Sequence, residues 1–143
     1  MRSYLVVGNQ TLDSPELAHE IARRVSAQPS TFHLVVPATP ISHGLTWDED
    51  EARAAATERL TAAIDRFRAA GATVSGEVGA PDPIQATQDA LRGREVDEVI
   101  LSTLPPGISR WLGQDVPTRL KGSVEVPVAV VTTQRQEAPT RPR

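Results

Sequence analysis

Short apolar segments alternate with longer amphipathic segments along almost the whole chain, and this alternation constrains the fold more than any other feature. Strands separated by helices imply right-handed crossovers and a parallel sheet that is covered on both faces. Short runs rich in Val, Ile and Leu are typical of such buried strands. The predicted strands are "SYLVVG" (Ser3–Gly8), "TFHLVVPA" (Thr31–Ala38), "ATVSGEVG" (72–79), "VDEVILST" (Val96–Thr103) and "VEVPVAVVTT" (Val124–Thr133). The third alternates only weakly, which indicates an edge strand.

The segments between these strands carry helix-start signals. Polar caps followed by a proline in the first turn predict three helix starts: Asp13 or Ser14 with Pro15, Asp82 with Pro83, and Asp115 with Pro117. A longer helix is predicted from about Asp48 to Ala70. It has an inward stripe of Ala56, Leu60, Ile64 and Phe67, and Gly71 is its C-terminal cap.

Composition excludes several classes of protein. The chain has 143 residues, which fits one domain, predicted over residues 1–133. The polar, proline-containing residues 134–143 are expected to be a disordered tail. With 15 basic and 18 acidic residues the net charge is −3, so the basic surface that nucleic-acid binding requires is not expected. There are no cysteines, which excludes disulfides and thiolate chemistry.

The chain also lacks signals for membranes, secretion and metals. No apolar run is long enough to span a bilayer and no signal peptide precedes the first strand, so a cytoplasmic protein with no membrane partner is expected. The histidines His19, His33 and His43 fall on a helix, a strand and a loop. Because they are scattered, no metal site is predicted.

An ordered set of short motifs resembles the universal stress proteins from about Tyr4 to Val131. The matching segments are Asn9-Gln10-Thr11, Val78-Gly79-Ala80-Pro81, Asp97–Ser102 and Pro127–Val131. The resemblance implies a five-stranded parallel flavodoxin-like sheet of order 3-2-1-4-5, with helices on both faces. In that order the loops after strands 1 and 4 meet at the switch point, where ligands of such sheets bind.

ATP-binding members of that family carry a glycine, two residues, a glycine, nine residues, and then glycine with Ser or Thr. Aligned on the fourth strand, Ser102 and Pro105 take the first two glycine positions, and Gln114 follows the final Gly113. The loop is also one residue shorter, and Asn9 stands where the first strand of the family ends in Asp. Since Pro105 has no N–H to donate to a phosphate, ATP binding of the usual kind is not expected.

The resemblance implies a regulatory or binding protein rather than an enzyme, with no catalytic residues. One alternative is a member that still binds ATP, another nucleotide or a small anion at the switch point. Another is an interaction module that binds a partner protein and no small molecule. The candidate ligand-binding residues follow the first, second and fourth strands. They are Asn9, Gln10, Thr11, Val36, Pro37, Ser102, Thr103, Gly107, Ser109, Arg110 and Gly113.

The fifth strand is the edge of the sheet in the implied order, and it carries no charge from Val126 to Val131. Exposed apolar edges invite pairing with another strand. Many universal stress proteins pair through this strand. A homodimer with Val126, Val128 and Val130 at the contact is therefore predicted.

Overall fold

The alternation of strands and helices is present in the computed structural model, which describes residues 1–39, 49–105, 111 and 114–134. The strands are β1 (Arg2–Val7), β2 (Ser30–Pro37), β3 (Thr73–Gly79), β4 (Glu98–Thr103) and β5 (Val128–Thr132). The helices are α1 (Pro15–Ala27), α2 (Glu49–Ala69), α3 (Pro83–Leu91) and α4 (Val116–Lys121). All the strands pair in parallel, in the order β3-β2-β1-β4-β5. This confirms the predicted fold class.

Alternate residues of the strands build two cores, one on each face of the sheet. On one face, Val6, Leu34 and Ile100 pack against α1 and α2. On the other, Leu5 and Val99 pack against α3, α4 and the buried Trp111. The strands therefore need apolar residues at successive positions, which is why their sequences are continuous apolar runs.

Two of the predicted helix caps make a side-chain hydrogen bond, and the third is present by position only. Ser14 Oγ accepts from Leu17 N–H at 3.1 Å, and Asp82 Oδ2 accepts from Gln85 N–H at 3.3 Å. Asp115 instead adopts a left-handed conformation at φ 59° and makes no capping hydrogen bond through its side chain. Asp tolerates this backbone region better than most residues, and the Asp115 carbonyl accepts from Arg119 N–H at 3.1 Å, so the residue begins the helix through its backbone alone.

The long helix has its buried stripe almost where the sequence predicts it. Ala56, Leu60 and Phe67 are buried, but Ala63 takes the place predicted for the half-buried Ile64. Gly71 follows the helix at φ +98°, a conformation that disfavours any side chain, so the predicted cap is confirmed. Asp48, the predicted first residue, lies outside the described residues.

The fifth strand is shorter than predicted. The chain leaves α4 through a turn in which Ser123 and Val124 donate to Leu120 O, and pairing begins only at Val128. Val126 therefore lies before β5 and packs against the second core. The apolar run predicts a longer strand because Val suits both strand and core positions. Pro127, which has no N–H, marks where the ladder starts.

A cluster of charges joins α1 to the start of β4. Arg24 Nη1 donates to Glu98 Oε1 at 2.6 Å, and Arg24 Nε donates to Glu20 Oε2 at 2.6 Å. The guanidinium also lies 4.9 Å from the centre of the Tyr4 ring. Hydrogen bonds from Arg23 and from Arg24 hold the pKa of Glu20 below its ordinary value of 4.5.

Replacing Glu20 with Gln should make the thermal stability of the protein depend less on pH in the acid range. A carboxylate whose pKa is lowered by folding stabilises the fold above its unfolded pKa and loses that effect as pH falls through the folded pKa. Between about pH 6 and pH 3, the Tm of the unaltered chain should therefore fall further than the Tm of the variant. Thermal unfolding across this range measures the difference, with Glu95→Gln on the surface as control. Parallel profiles for Glu20→Gln and the unaltered chain would contradict the prediction.

Candidate functional site

The strand order reverses its direction of growth between β1 and β4, and this is the switch point of the sheet. Val7, near the end of β1, is paired with Val35 on one side and with Leu101 on the other. The carboxyl ends of β1, β2 and β4 therefore meet, with the loop after β1 above them. Ligands of open parallel sheets bind at this position.

Asn9 connects three elements at this point. Its side chain is buried, donates from Nδ2 to Pro37 O at 2.8 Å and accepts from Arg59 Nη1 at 2.9 Å. An aspartate in the same position would place two oxygens 2.8 Å apart with no proton between them. The contact with the Pro37 carbonyl therefore gives a physical reason for an amide where the resembling family has an acid.

The loop after β1 also lies directly on the end of β4. Thr11 Oγ1 and Ser102 Oγ are both buried and lie 2.5 Å apart. Gly8 allows this approach, because a Cβ at that residue would lie 3.2 Å from the Cβ of Ser102 and 3.1 Å from Leu12. A glycine at residue 102 would provide no hydroxyl for this contact.

Thr103 carries a buried hydroxyl without a partner among the described residues, as does Thr133, whose N–H donates to Thr103 O. The Thr103 side chain is 1% exposed, and its Oγ1 has no hydrogen-bond partner among the described residues. A buried hydroxyl without a partner costs about 1–3 kcal/mol, so most proteins satisfy it. The Thr103 hydroxyl lies at the carboxyl end of β4, the end at which open parallel sheets bind ligands.

The structure brings together most of the predicted site residues that it describes. Asn9 contacts Pro37 and Arg59, and Thr11 contacts Ser102. Thr103 follows Ser102 on β4, so its side chain points to the opposite face of the sheet. Gln10 is exposed, whereas Val36 is buried in the first core and offers no side-chain group. Gly107, Ser109, Arg110 and Gly113 lie outside the described residues.

Arg59 is the residue that sequence reasoning missed. It lies on α2 beside the buried stripe, and it contacts a neutral amide, so this contact does not neutralise its charge. A guanidinium has five N–H donors, and the contact with Asn9 uses one of them. Two sequence features together could have indicated Arg59. Asn9 stands where the resembling family has Asp, and Arg59 is next to Leu60 of the buried stripe of the long helix.

A second concave surface lies at the opposite end of the sheet. It is a cleft of about 300 Å³ between the end of α3 and the segment that precedes β5. Its lining residues are Gln88, Leu91, Arg94, Val96, Ser123, Val124, Glu125 and Val126. None of the predicted ligand-binding residues lies there, but Val126 of the predicted dimer contact does.

Among the described residues, no group of three or more His, Cys, Asp or Glu side chains could hold a metal ion. No helix in this part of the chain is long and apolar enough to cross a membrane.

Comparison with known proteins gave structural neighbours only, since no family model and no curated protein matches the chain. A universal stress protein in complex with cyclic AMP shares 18% identity at a TM-score of 0.65, covering 93% of this chain and 98% of its own. The Archaeoglobus fulgidus universal stress protein in complex with dAMP shares 16% at 0.62, covering 92% and 97%. A member of the family from Burkholderia pseudomallei shares 17% at 0.57, covering 90% and 94%. The chain thus has the fold of the universal stress proteins over nearly its whole length.

Proposed function

We propose that this chain is a universal-stress-protein-like regulatory or binding protein, and that its switch point takes a small anion such as a nucleoside monophosphate instead of ATP. The observation that carries the proposal is the buried hydroxyl of Thr103, which lacks a partner among the described residues. A ligand that accepts a hydrogen bond there would satisfy it.

The charge at the site supports an anionic ligand. The side chain at the end of β1 is the neutral Asn9, so the positive charge of Arg59 faces no carboxylate in that contact. Arginine binds phosphate and carboxylate groups through paired N–H donors. Asn9 holds the guanidinium beside the switch point, and we propose that its remaining donors bind the ligand.

The broken glycine motif supports a ligand with one phosphate. The backbone N–H groups of that motif bind the phosphate chain, and Pro105 provides none. A nucleoside monophosphate has no second or third phosphate that requires them. Two structural neighbours were solved with cyclic AMP and with dAMP, and each of these ligands carries a single phosphate.

Titration calorimetry with AMP, cyclic AMP, ADP and ATP tests the proposal. We expect AMP or cyclic AMP to bind at least about tenfold more tightly than ATP, because the contacts that would favour the longer phosphate chain are lost. Affinity for ATP of about 1 μM would contradict the proposal.

Replacing Arg59 with Gln should weaken AMP binding by about 10- to 100-fold, since hydrogen bonds to charged groups contribute about 1.5–3 kcal/mol. The same calorimetric titration measures the loss. Arg53→Gln is the matched control, because Arg53 is an exposed arginine on the same helix. Equal affinities for Arg59→Gln and Arg53→Gln would remove Arg59 from the site.

A second candidate function, assembly with itself or a partner protein, is favoured by the free edge of β5. Val99 N–H donates to Pro127 O, and Thr133 N–H donates to Thr103 O. The N–H and C=O groups of successive residues point to opposite sides of a strand. Those of Val128, Val130 and Thr132 therefore point away from β4. Pro127 faces β4, so its missing N–H does not protect the free edge. We propose that this edge pairs with its own copy in a homodimer.

A further inference from the structure

Three side chains on β2 and β3 form a hydrogen-bonded row on the sheet face that packs against α3. His33 is paired with Ser75 across the two strands, and Glu77 follows Ser75 on the same face. His33 Nδ1 lies 2.7 Å from Ser75 Oγ, and His33 Nε2 lies 2.8 Å from Glu77 Oε2. The imidazole is buried, whereas Ser75 is exposed. The row lies on a different strand pair from the switch point.

For a neutral imidazole, the contact with Glu77 fixes the direction of both hydrogen bonds. An ionised carboxylate can only accept, so Glu77 accepts from a proton on Nε2. The other nitrogen, Nδ1, then carries a lone pair and accepts the hydroxyl proton of Ser75. The imidazole is thus held in the tautomer in which it can remove a proton from the serine.

We infer that Ser75 is a nucleophile, His33 its general base and Glu77 the residue that positions the base, in an acyl-transfer site for small activated esters. A nucleophile within hydrogen-bond reach of a base that is oriented by a third group is the arrangement such catalysis requires. The Glu77 side chain is 46% exposed, so the row is open to solvent. An open row of this kind suits a small ester.

Gly76, the residue after the nucleophile, has an N–H that does not take part in the ladder with β2. Ala38 N–H donates to Gly79 O, so the odd-numbered residues at this end of β3 direct their peptide groups to β2. The N–H of Gly76 consequently points away from β2, at the free edge of the sheet. The residue after the nucleophile commonly supplies an N–H to the oxyanion in serine hydrolases.

The proposed reaction is balanced without any cofactor. Ser75 Oγ forms a bond to the acyl carbon while its proton passes to His33 Nδ1, and the ester C–O bond breaks as that proton passes to the leaving alkoxide. Water then attacks the acyl-serine with His33 again as base, which releases the acid and restores the hydroxyl. The net change is ester plus water to acid plus alcohol.

The test uses 4-nitrophenyl acetate with the full chain. Release of 4-nitrophenolate is followed by absorbance, and the acetylated residue is located by peptide mass analysis. We expect acetylation at Ser75, no such product with Ser75→Ala, and a rate about 100-fold lower with His33→Gln, since a positioned base contributes about 10²–10⁴. Glu77→Gln should lower the rate, and Glu77→Asp, which keeps the charge, should recover part of it.

The controls separate catalysis from folding. Thr73 is an exposed residue on the same side of β3, two residues from Ser75, and Thr73→Ala should react like the unaltered chain. Thermal unfolding of each variant shows whether the fold tolerates Gln at the buried His33. If it does not, Ser75→Ala still tests the proposal, because Ser75 is exposed. Acetylation of Ser75 no faster than in the urea-unfolded chain, or equally fast in a folded His33→Gln variant, would overturn the inference.

Discussion

A chain carrying Val130→Lys should be monomeric at concentrations where the unaltered chain is a homodimer. Val130 lies inside β5 and is 36% exposed, an unusual position for a large apolar side chain on a strand with no charged residue. A second copy placed across a two-fold axis would bury both edges at once. Lysine at Val130 would place two like charges at the centre of that contact, and natural sheets use edge lysines to prevent such pairing.

Sedimentation or light scattering measures this change directly. Thr73→Lys is the matched control, because Thr73 is exposed on β3, the opposite edge of the same sheet. We expect Val130→Lys to lower the mass to that of one chain and Thr73→Lys to leave the dimer intact. The reverse result would place the contact on β3.

The alternative, in which the tail covers β5, has its own test. Gln134 N–H donates to Glu16 at 3.0 Å, so the chain is held against α1 where it leaves β5. If residues 135–143 covered the edge, the full chain would be monomeric and a chain ending at Thr133 would dimerise. That outcome would contradict the proposed homodimer.

The fold could be predicted from the sequence because the signals that mark its helix ends are local in the sequence. Ser14, Gly71 and Asp82 mark helix ends through their own backbone chemistry, and each does so in the structure. Strand ends were less predictable, since the start of β5 depends on where its neighbour β4 begins. Val126 is of a residue type that is common in strands, but no partner residue of β4 lies opposite it.

The candidate site was predictable only in part, since contacts across the sheet depend on register. Asn9, Thr11 and Ser102 could be placed together from strand order alone. Arg59 could not, because its reach to Asn9 depends on how α2 is rotated over the sheet. The row containing His33 was missed for the same reason, since its partners lie more than 40 residues along the chain.

Replacing Thr103 with Val should raise the stability of the free protein and weaken its binding of AMP. Valine has nearly the shape of threonine, so the change removes a buried hydroxyl that has no partner among the described residues while keeping the packing. Removing that cost should stabilise the fold by about 1–3 kcal/mol, and the Tm should rise by several degrees. A ligand that bonds to the hydroxyl should lose about tenfold in affinity.

The matched control is Thr87→Val, which should act in the opposite direction on stability and leave binding unchanged. Thr87 is as buried as Thr103, but its hydroxyl donates to Pro83 O at 2.7 Å within α3. Removing a satisfied hydroxyl should destabilise the fold by about 1 kcal/mol. Thermal unfolding and AMP titration of both variants give four values. If Thr103→Val destabilises the protein as Thr87→Val does, the Thr103 hydroxyl has a hydrogen-bond partner within the chain and is not free to bind a ligand. If Thr103→Val stabilises the protein but binds AMP unchanged, the ligand does not contact that hydroxyl.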